Sequence, residues 1–475
     1  MKPIELAERL GRWPAGRGPL PVLLAARLRA LIDEGELPPG EPLPPDRALA
    51  LALAVGRSTV IAAYDLLRLD GRIVRRQGSG TRVAGTGPAG PGQTTTSEPI
   101  FLNLLEPPDG VIPLACAAPY APPPELTEAY ARIVPVLAAT SGDIGYYPAG
   151  HPALRRAIAE RYARHGIRTS PERILVTTGA QQALSLLARA LLAPGDRVLV
   201  EGPTYPGALE AFREVAAVPR TLPTGLDGLP AAARRRRAAL AYVISTCHNP
   251  TGSVLPAPAR RALVSAANAA DIPLIDDEVL ADLGFPGTQM PPPLAAYADT
   301  VISVGSLSKS VWGGLRLGWV RGPGPLIARL ARLLAVYELG GNVPAQLAAA
   351  ELLPLLDGLC ARQAPARQAR HDHLRAELAR HLPSWHAPAV PGGQTLWVRL
   401  PHGDGTSFAQ TALRNRVAVL PGSGLDASGQ SGKYLRLHFI APTEQLTEAV
   451  RRLAQAWHAY RPSQASTAPP PALSI

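Results

Sequence analysis

The hydrophobic pattern changes period along the chain. Between positions 20 and 32 it is helical: Leu20, Leu23, Leu24, Leu28, Leu31 and Ile32 share one face, and the pattern stops at Gly35. Pro44 and Pro45 open a second helix with Leu49, Ala52 and Leu53 inward, and Ala54-Val55-Gly56 makes a tight connection to a third. Ser58 is placed to cap that third helix, which turns Val60, Ile61, Tyr64 and Leu67 inward until Gly71 ends it. Two short helices about a glycine-containing turn predict a helix-turn-helix. Ile73-Val74-Arg75 and Thr81-Arg82-Val83 then read as strands around Gln77-Gly78-Ser79-Gly80, a hairpin tip that needs positive φ.

Beyond Arg173 the pattern becomes short apolar runs spaced by helical stretches: Ile174–Val176, Arg197–Val200, Ala241–Ser245, Pro273–Ile275, Val301–Val304 and Gly318–Val320. Runs of this kind predict parallel strands buried on both faces, hence an α/β domain. Thr86 to Pro99 has no hydrophobic period and reads as a linker, and the Pro/Ser/Ala-rich stretch from Arg461 to Ile475 reads as a disordered tail. The expected division is a helix-turn-helix unit over 16–84, a linker over 85–110, a large domain over 111–460 and the tail over 461–475. No apolar run approaches the roughly 20 residues of a bilayer helix. Nor does the N-terminus carry a secretory apolar stretch, so the expected compartment is the cytoplasm.

Composition sharpens this picture. Among 475 residues, 48 Lys and Arg face 37 Asp and Glu, a net charge of +11 that suits a polyanionic partner. Only Lys2, Lys309 and Lys433 are lysine, so an internal one calls for a reason. Cys116, Cys247 and Cys360 are too few and too scattered for a disulfide framework or a zinc cluster, and no metal is expected. The run Arg234 to Arg237 reads as a solvated helix face, and His371-Asp372-His373 as surface.

The third helix of the first unit presents Arg57, Ser58 and Thr59 at its N-terminal end, where free N–H groups favour phosphate. Arg47, Arg75, Arg76 and Arg82 add charge nearby. The segment from Pro19 to Val83 resembles the GntR-family winged helix-turn-helix. The matching stretches are Leu37-Pro38-Pro39-Gly40, Leu43 to Ala50, Gly56-Arg57-Ser58-Thr59-Val60, Ala63 to Leu67, Asp70-Gly71 and Gly78-Ser79-Gly80-Thr81. The family more often has Ser-Ser or Ser-Glu where Pro45-Asp46 stands. The resemblance implies that Arg47, Arg57, Ser58 and Thr59 meet the major groove and phosphates of a double-stranded operator, with Gly80 at the minor groove.

In open α/β sheets ligands bind beyond the carboxyl ends of the strands, so the polar residues after each run matter. They are Thr177-Thr178-Gly179-Ala180-Gln181, Gly202 to Tyr205, His248-Asn249, Asp276-Asp277-Glu278 and Ser306-Leu307-Ser308-Lys309 with Arg316 beyond. Ser306 and Lys309 also read as the S-x-x-K of penicillin-recognising acyltransferases, but the accompanying S-D-N is missing. The other reading is a lysine that anchors an aldehyde cofactor, with an Asp for its pyridine nitrogen and a helix N-terminus for its phosphate.

From Val111 to Ala454 the chain resembles fold-type I pyridoxal phosphate proteins of the class I/II aminotransferase family. This implies a mainly parallel central sheet with a smaller C-terminal α+β subdomain. It also implies Lys309 as the Schiff-base lysine, Asp277 at the ring nitrogen, Asn249 at the ring hydroxyl and Tyr205 stacked on the ring. Gly179, Ala180, Gln181, Ser306 and Arg316 would hold the phosphate, and Tyr146, or Tyr147 by a shift of register, would reach the neighbouring subunit's phosphate. Arg436 alternates with Leu435, Leu437 and Phe439 on its strand and would take a ligand α-carboxylate. Two departures stand out: Leu280 where the family has Tyr, and Thr395 where relatives often have His.

The combination resembles the MocR-type transcriptional regulators along nearly the whole chain. It implies a DNA-binding regulator, a domain-swapped homodimer, that uses pyridoxal 5'-phosphate to sense an amino acid, an amine or the cofactor itself. The alternative is a working aminotransferase with an accessory DNA-binding module.

Overall fold

The computed structural model describes residues 3–11, 13, 19–38, 40–69, 72–76, 80–84, 109–235 and 238–461. Most of the expected linker, the Asp70-Gly71 stop, the hairpin tip at 77–79 and the tail beyond 461 lie outside them, as do the side chains of Arg75, Arg76 and Arg234 to Arg237. The chain forms two compact units, a small N-terminal one and a large one.

The small unit holds helices Pro3–Leu10, Leu20–Asp33, Asp46–Ala52 and Arg57–Leu69. Its strands β1 (Pro42–Leu43), β2 (Ile73–Arg76) and β3 (Gly80–Val83) form an antiparallel sheet of order β1-β3-β2. Leu24, Leu28, Leu31, Leu49, Val60, Tyr64, Leu67, Ile73 and Val83 meet in one core, so the helical period of the sequence is the packing face. The turn adds one detail, and the cap corrects an expectation. The left-handed residue of the turn is Ala54 (φ +51°), not the glycine. The third helix starts at Arg57, and Thr59 N donates to the Gly56 carbonyl at 2.9 Å, so Gly56 rather than Ser58 holds the cap position.

In the large unit, β4 (Ile112–Pro113) precedes a seven-stranded sheet of β5 (Ile174–Thr177), β6 (Arg197–Glu201), β7 (Val218–Leu222), β8 (Leu240–Val243), β9 (Leu274–Asp277), β10 (Ile302–Ser306) and β11 (Gly318–Arg321). The order is β5-β11-β10-β9-β8-β6-β7. β6, β8, β9 and β10 run parallel, whereas β11 lies antiparallel to both neighbours, which corrects the parallel direction expected for Gly318–Val320. A buried run reports burial on two faces and is silent about direction; here β11 returns directly after β10, within reach of an antiparallel partner.

The C-terminal part carries β12 (Thr395–Arg399), β13 (Val417–Ala418), β14 (Leu420–Pro421) and β15 (Tyr434–His438). β12, β15 and β14 form an antiparallel sheet, and β13 pairs in parallel with β4. Leu374, Leu396, Phe408, Leu435, Leu437, Phe439 and Leu453 join its core. His371 belongs there too: it is buried against Phe285 and Phe439 and accepts from Val390 N at 3.3 Å, which corrects its surface assignment. A histidine between two charged-looking neighbours hid a core position of helix Leu356–His381. The helical stretch Val343–His381 also contains an 18-residue window apolar enough for a membrane span, which was not expected; half of that window is buried inside the protein.

Candidate functional site

The polar residues that end the strands converge. β9 delivers Asp277 and β10 delivers Ser306, with Lys309 three residues on; the turns after β5, β6 and β8 bring Gly179–Gln181, Tyr205 and Asn249. Helix Ala180–Leu191 starts at this end of the sheet, and its first N–H groups lack intrahelical acceptors by construction.

Gly179 sits at φ +115°, and a Cβ there would stand 3.0 Å from Arg316 Nη2. Arg316 Nη2 donates to the Thr178 carbonyl at 2.6 Å, so glycine lets a guanidinium lie across the helix N-terminus. Ser306 Oγ donates to the Leu317 carbonyl at 3.0 Å and accepts from Ser308 N at 3.2 Å. Gln181 ties this end to Tyr205, whose hydroxyl donates to Oε1 at 3.1 Å.

Asp277 is buried, and burial pushes its carboxyl up to about 6. Its donors are Tyr242 OH at 2.6 Å and Val279 N at 3.1 Å, neither of them charged. Lys309 Nζ donates to the Ala117 carbonyl, and burial pulls its pKa below that of an ordinary lysine. Gln394 Nε2 donates to the Lys309 carbonyl at 3.1 Å, and Thr395 Oγ1 to the Pro250 carbonyl at 3.3 Å. Arg436 is 7% exposed; Nη1 donates to Asn249 Oδ1 at 3.0 Å and Nη2 to the Ala115 carbonyl. Its Nε finds no partner among the described residues, and burial pulls its pKa down to about 10.

Of the expected residues, Lys309, Asp277, Asn249, Tyr205, Gln181, Gly179, Ala180, Ser306, Arg316 and Arg436 lie around this one region. Tyr146 does not point into it: it is 62% exposed, while Tyr147 turns its hydroxyl to Asp143 of its own chain. Leu280 is half-buried in the turn after β9 and offers no polar group. Sequence reasoning missed Tyr242, Gln394, His438 and the main chain of Ala115 and Ala117. Tyr242 lies inside a buried strand, where a hydroxyl implies a polar partner; main-chain acceptors leave no signal in side-chain identity.

In the small unit Arg47, Arg57 and Ser58 are exposed, Thr59 is half-buried and Gly80 is exposed at φ +81°. Arg57 Nε donates to Asp46 Oδ2 at 2.9 Å, bridging the two helices of the motif.

Residues 111–453 match the family described as aminotransferase class I and II, and residues 23–83 match the bacterial regulatory proteins of the gntR family. The chain belongs to the MocR-type family. Among MocR-type and related proteins, an uncharacterized HTH-type transcriptional regulator of Bacillus subtilis, YisV, is 30% identical over 90% of this chain and 94% of its own. TauR, an HTH-type transcriptional regulator of Rhodobacter capsulatus, is 29% identical over 93% of this chain and 97% of its own. The crystal structure of the α-aminoadipate aminotransferase LysN of Thermus thermophilus, complexed with N-(5'-phosphopyridoxyl)-L-leucine, is 30% identical with a TM-score of 0.69. It covers 75% of this chain and 94% of that one. The matched fold of the large unit is therefore the fold-type I, mainly parallel α/β architecture of this MocR-type family.

Proposed function

We propose that the chain is a DNA-binding transcriptional regulator whose large unit binds pyridoxal phosphate through Lys309 and senses an amino compound in the same pocket. The observation that carries this is the convergence of Lys309, Asp277, Asn249, Arg316 and Arg436 beyond the strand ends, in a chain whose residues 23–83 match a DNA-binding family. Relatives that cover nine-tenths of the chain are transcriptional regulators, whereas the aminotransferase structure covers 75% of it.

The residues present fit the cofactor. Asp277, a carboxylate buried without a charged donor, suits a protonated ring nitrogen; Asn249 and Tyr205 suit the ring's hydroxyl and face. Gly179, Ala180, Gln181, Ser306 and Arg316 suit a phosphate at a helix N-terminus. Arg436, with an unmatched Nε, suits a carboxylate. When bound, pyridoxal phosphate supplies an aldehyde that condenses reversibly with amines and a ring that absorbs visible light. Burial keeps a larger share of the Lys309 amine unprotonated and hence reactive at neutral pH. Leu280 brings no phenol to the pocket, which favours binding over rapid proton transfer.

The unit is expected to act as a homodimer, each reader resting near its partner's large unit and Tyr146 reaching toward the partner's phosphate site. Arg47, Arg57, Ser58, Thr59 and Gly80 would meet the operator.

The test is the visible spectrum of the purified chain with pyridoxal phosphate and then with single amino acids. A band that Lys309→Ala abolishes, and that one amine shifts without turnover, supports the sensor. Repeated release of keto acid overturns it in favour of a transaminase.

A further inference from the structure

We propose that residues 113–117 form a strap that competes with ligand: its main-chain carbonyls occupy Lys309 and Arg436, two of the pocket's cations, and loading the pocket displaces them. The inference rests on the roles given above to Lys309 and Arg436. The strap leaves β4, bends at Ala115 and passes the pocket. At every second residue its carbonyl accepts from a pocket side chain: Pro113 from His438 Nε2, Ala115 from Arg436 Nη2 and Ala117 from Lys309 Nζ. Between them, Leu114 is tied to the C-terminal sheet, its N–H to the Ala418 carbonyl at 2.9 Å and its carbonyl to His438 N at 3.2 Å.

These contacts divide the strap into an anchored and a releasable half. His438 holds the first half. Its Nδ1 accepts from Ile440 N at 3.3 Å, which leaves the proton on Nε2 for Pro113. No ligand group is assigned to His438, so this anchor persists when the pocket fills. Ala115 and Ala117, by contrast, use the guanidinium and the amine that a carboxylate and an aldehyde would claim. A carboxylate brings a negative charge and two oxygens where Ala115 offers one neutral oxygen, and Arg436 still has Nε to give. Once both donors are taken, buried carbonyls cannot stay unpaired, and residues 115–118 must shift to find new partners. Along the sequence the strap is the first part of the large unit after the linker. His438 is thus a positioning residue.

Hydrogen exchange of the full-length protein, read by mass spectrometry, tests this. It is measured without cofactor, with pyridoxal phosphate, and with the phosphopyridoxyl adduct of L-alanine. Occupancy is followed independently, by the Lys309-dependent band for pyridoxal phosphate and by isothermal titration for the adduct. The amides of Ala115 to Ala118 are expected to exchange at least about threefold faster on loading, with that of Leu114 and helix Leu356–His381 unchanged. His438→Leu, which leaves no side-chain donor for the Pro113 carbonyl, is expected to give the fast exchange without cofactor. A normal band with unchanged or slower exchange over 115–118 overturns the strap and leaves the cofactor reading intact. Failure of both the band and the adduct titration overturns both. Should His438→Leu not fold, the comparison of loaded and cofactor-free parent protein decides alone.

Discussion

Asp277 shows how a single buried carboxylate can cost stability. The folded protein holds its proton to about pH 6, against 3.8 for an ordinary Asp, so the carboxylate is disfavoured by the fold. The penalty is absent below about pH 4, grows as the pH rises to 6 and is complete above it, because only there is the unfolded chain's preference for ionisation fully expressed. At about 1.4 kcal/mol per pH unit, and allowing for relaxation of a buried site, it amounts to ~1–3 kcal/mol at pH 7.5. Asp277→Asn keeps an acceptor for Tyr242 and removes the charge. It is expected to raise the melting temperature of cofactor-free protein at pH 7.5, with a clearly smaller gain at pH 4.5, and to abolish the rise that pyridoxal phosphate gives the parent. A variant no more stable than the parent at pH 7.5 would mean that Asp277 already has a counter-charge. Arg436 reasons the same way from the cationic side. Arg436→Lys keeps the charge but loses the planar fork, so amino-acid-induced spectral shifts should weaken at least tenfold in concentration while the cofactor band persists.

Elements translate such residues into geometry, and they mark how far the sequence could be read. The helices of the small unit were legible because one apolar face recurs through Leu24, Leu28, Leu31, Val60, Tyr64 and Leu67. The site was legible where chemistry follows a strand, as at Asp277, Ser306 and Asn249. Direction in the sheet was not legible at β11, since burial on two faces looks alike in either orientation. Nor was β7 anticipated: Val218–Leu222 is only half-buried and lacks the continuous apolar run of a central strand. The turn between Asp46–Ala52 and Arg57–Leu69 is another such case, because an alanine takes the left-handed conformation beside an available glycine. An L side chain there costs about 1 kcal/mol, partly offset in the unfolded state by the freedom that glycine adds. Ala54→Gly is therefore expected to slow hydrogen exchange of helix Arg57–Leu69 about two- to fivefold. Across the same turn, Arg57 pairs with Asp46 with its side chain half exposed. On an operator selected from random duplexes, Arg57→Ala is expected to weaken binding strongly and to lower the salt slope by about one phosphate contact. An unchanged slope would remove Arg57 from the interface.

At the scale of the whole molecule, the question is what covers the apolar surface that the large unit leaves open. Helix Pro124–Ala139 exposes Val134 and Val136, and the loop after it exposes Ile144 and Tyr146. Val336, Tyr337 and Leu339 are exposed as well, and Gly340, next in sequence, lies against the backbone of Tyr147, so the loops come together. The helix itself packs on Val343–Leu352, which continues from the same loop. Seven large apolar side chains are exposed on segments that adjoin in sequence or through the approach of Gly340 to Tyr147, which marks them as a candidate contact surface. A second copy of the chain is its natural cover, since a two-fold axis would bury the same patch on both subunits. Symmetry also makes the test sensitive, because one substitution acts twice. A glutamate at position 134 would place two unpaired charges in the interface, each costing at least ~1.5 kcal/mol, or about a hundredfold in dimer dissociation together. Val134→Glu is thus expected to sediment as a monomer at concentrations where the parent is a dimer. The parent should keep two readers on one duplex, and the variant should lose the affinity that comes from engaging two half-sites at once while retaining single-site binding. A variant that stays dimeric with unchanged operator affinity would place the subunit contact elsewhere on the large unit.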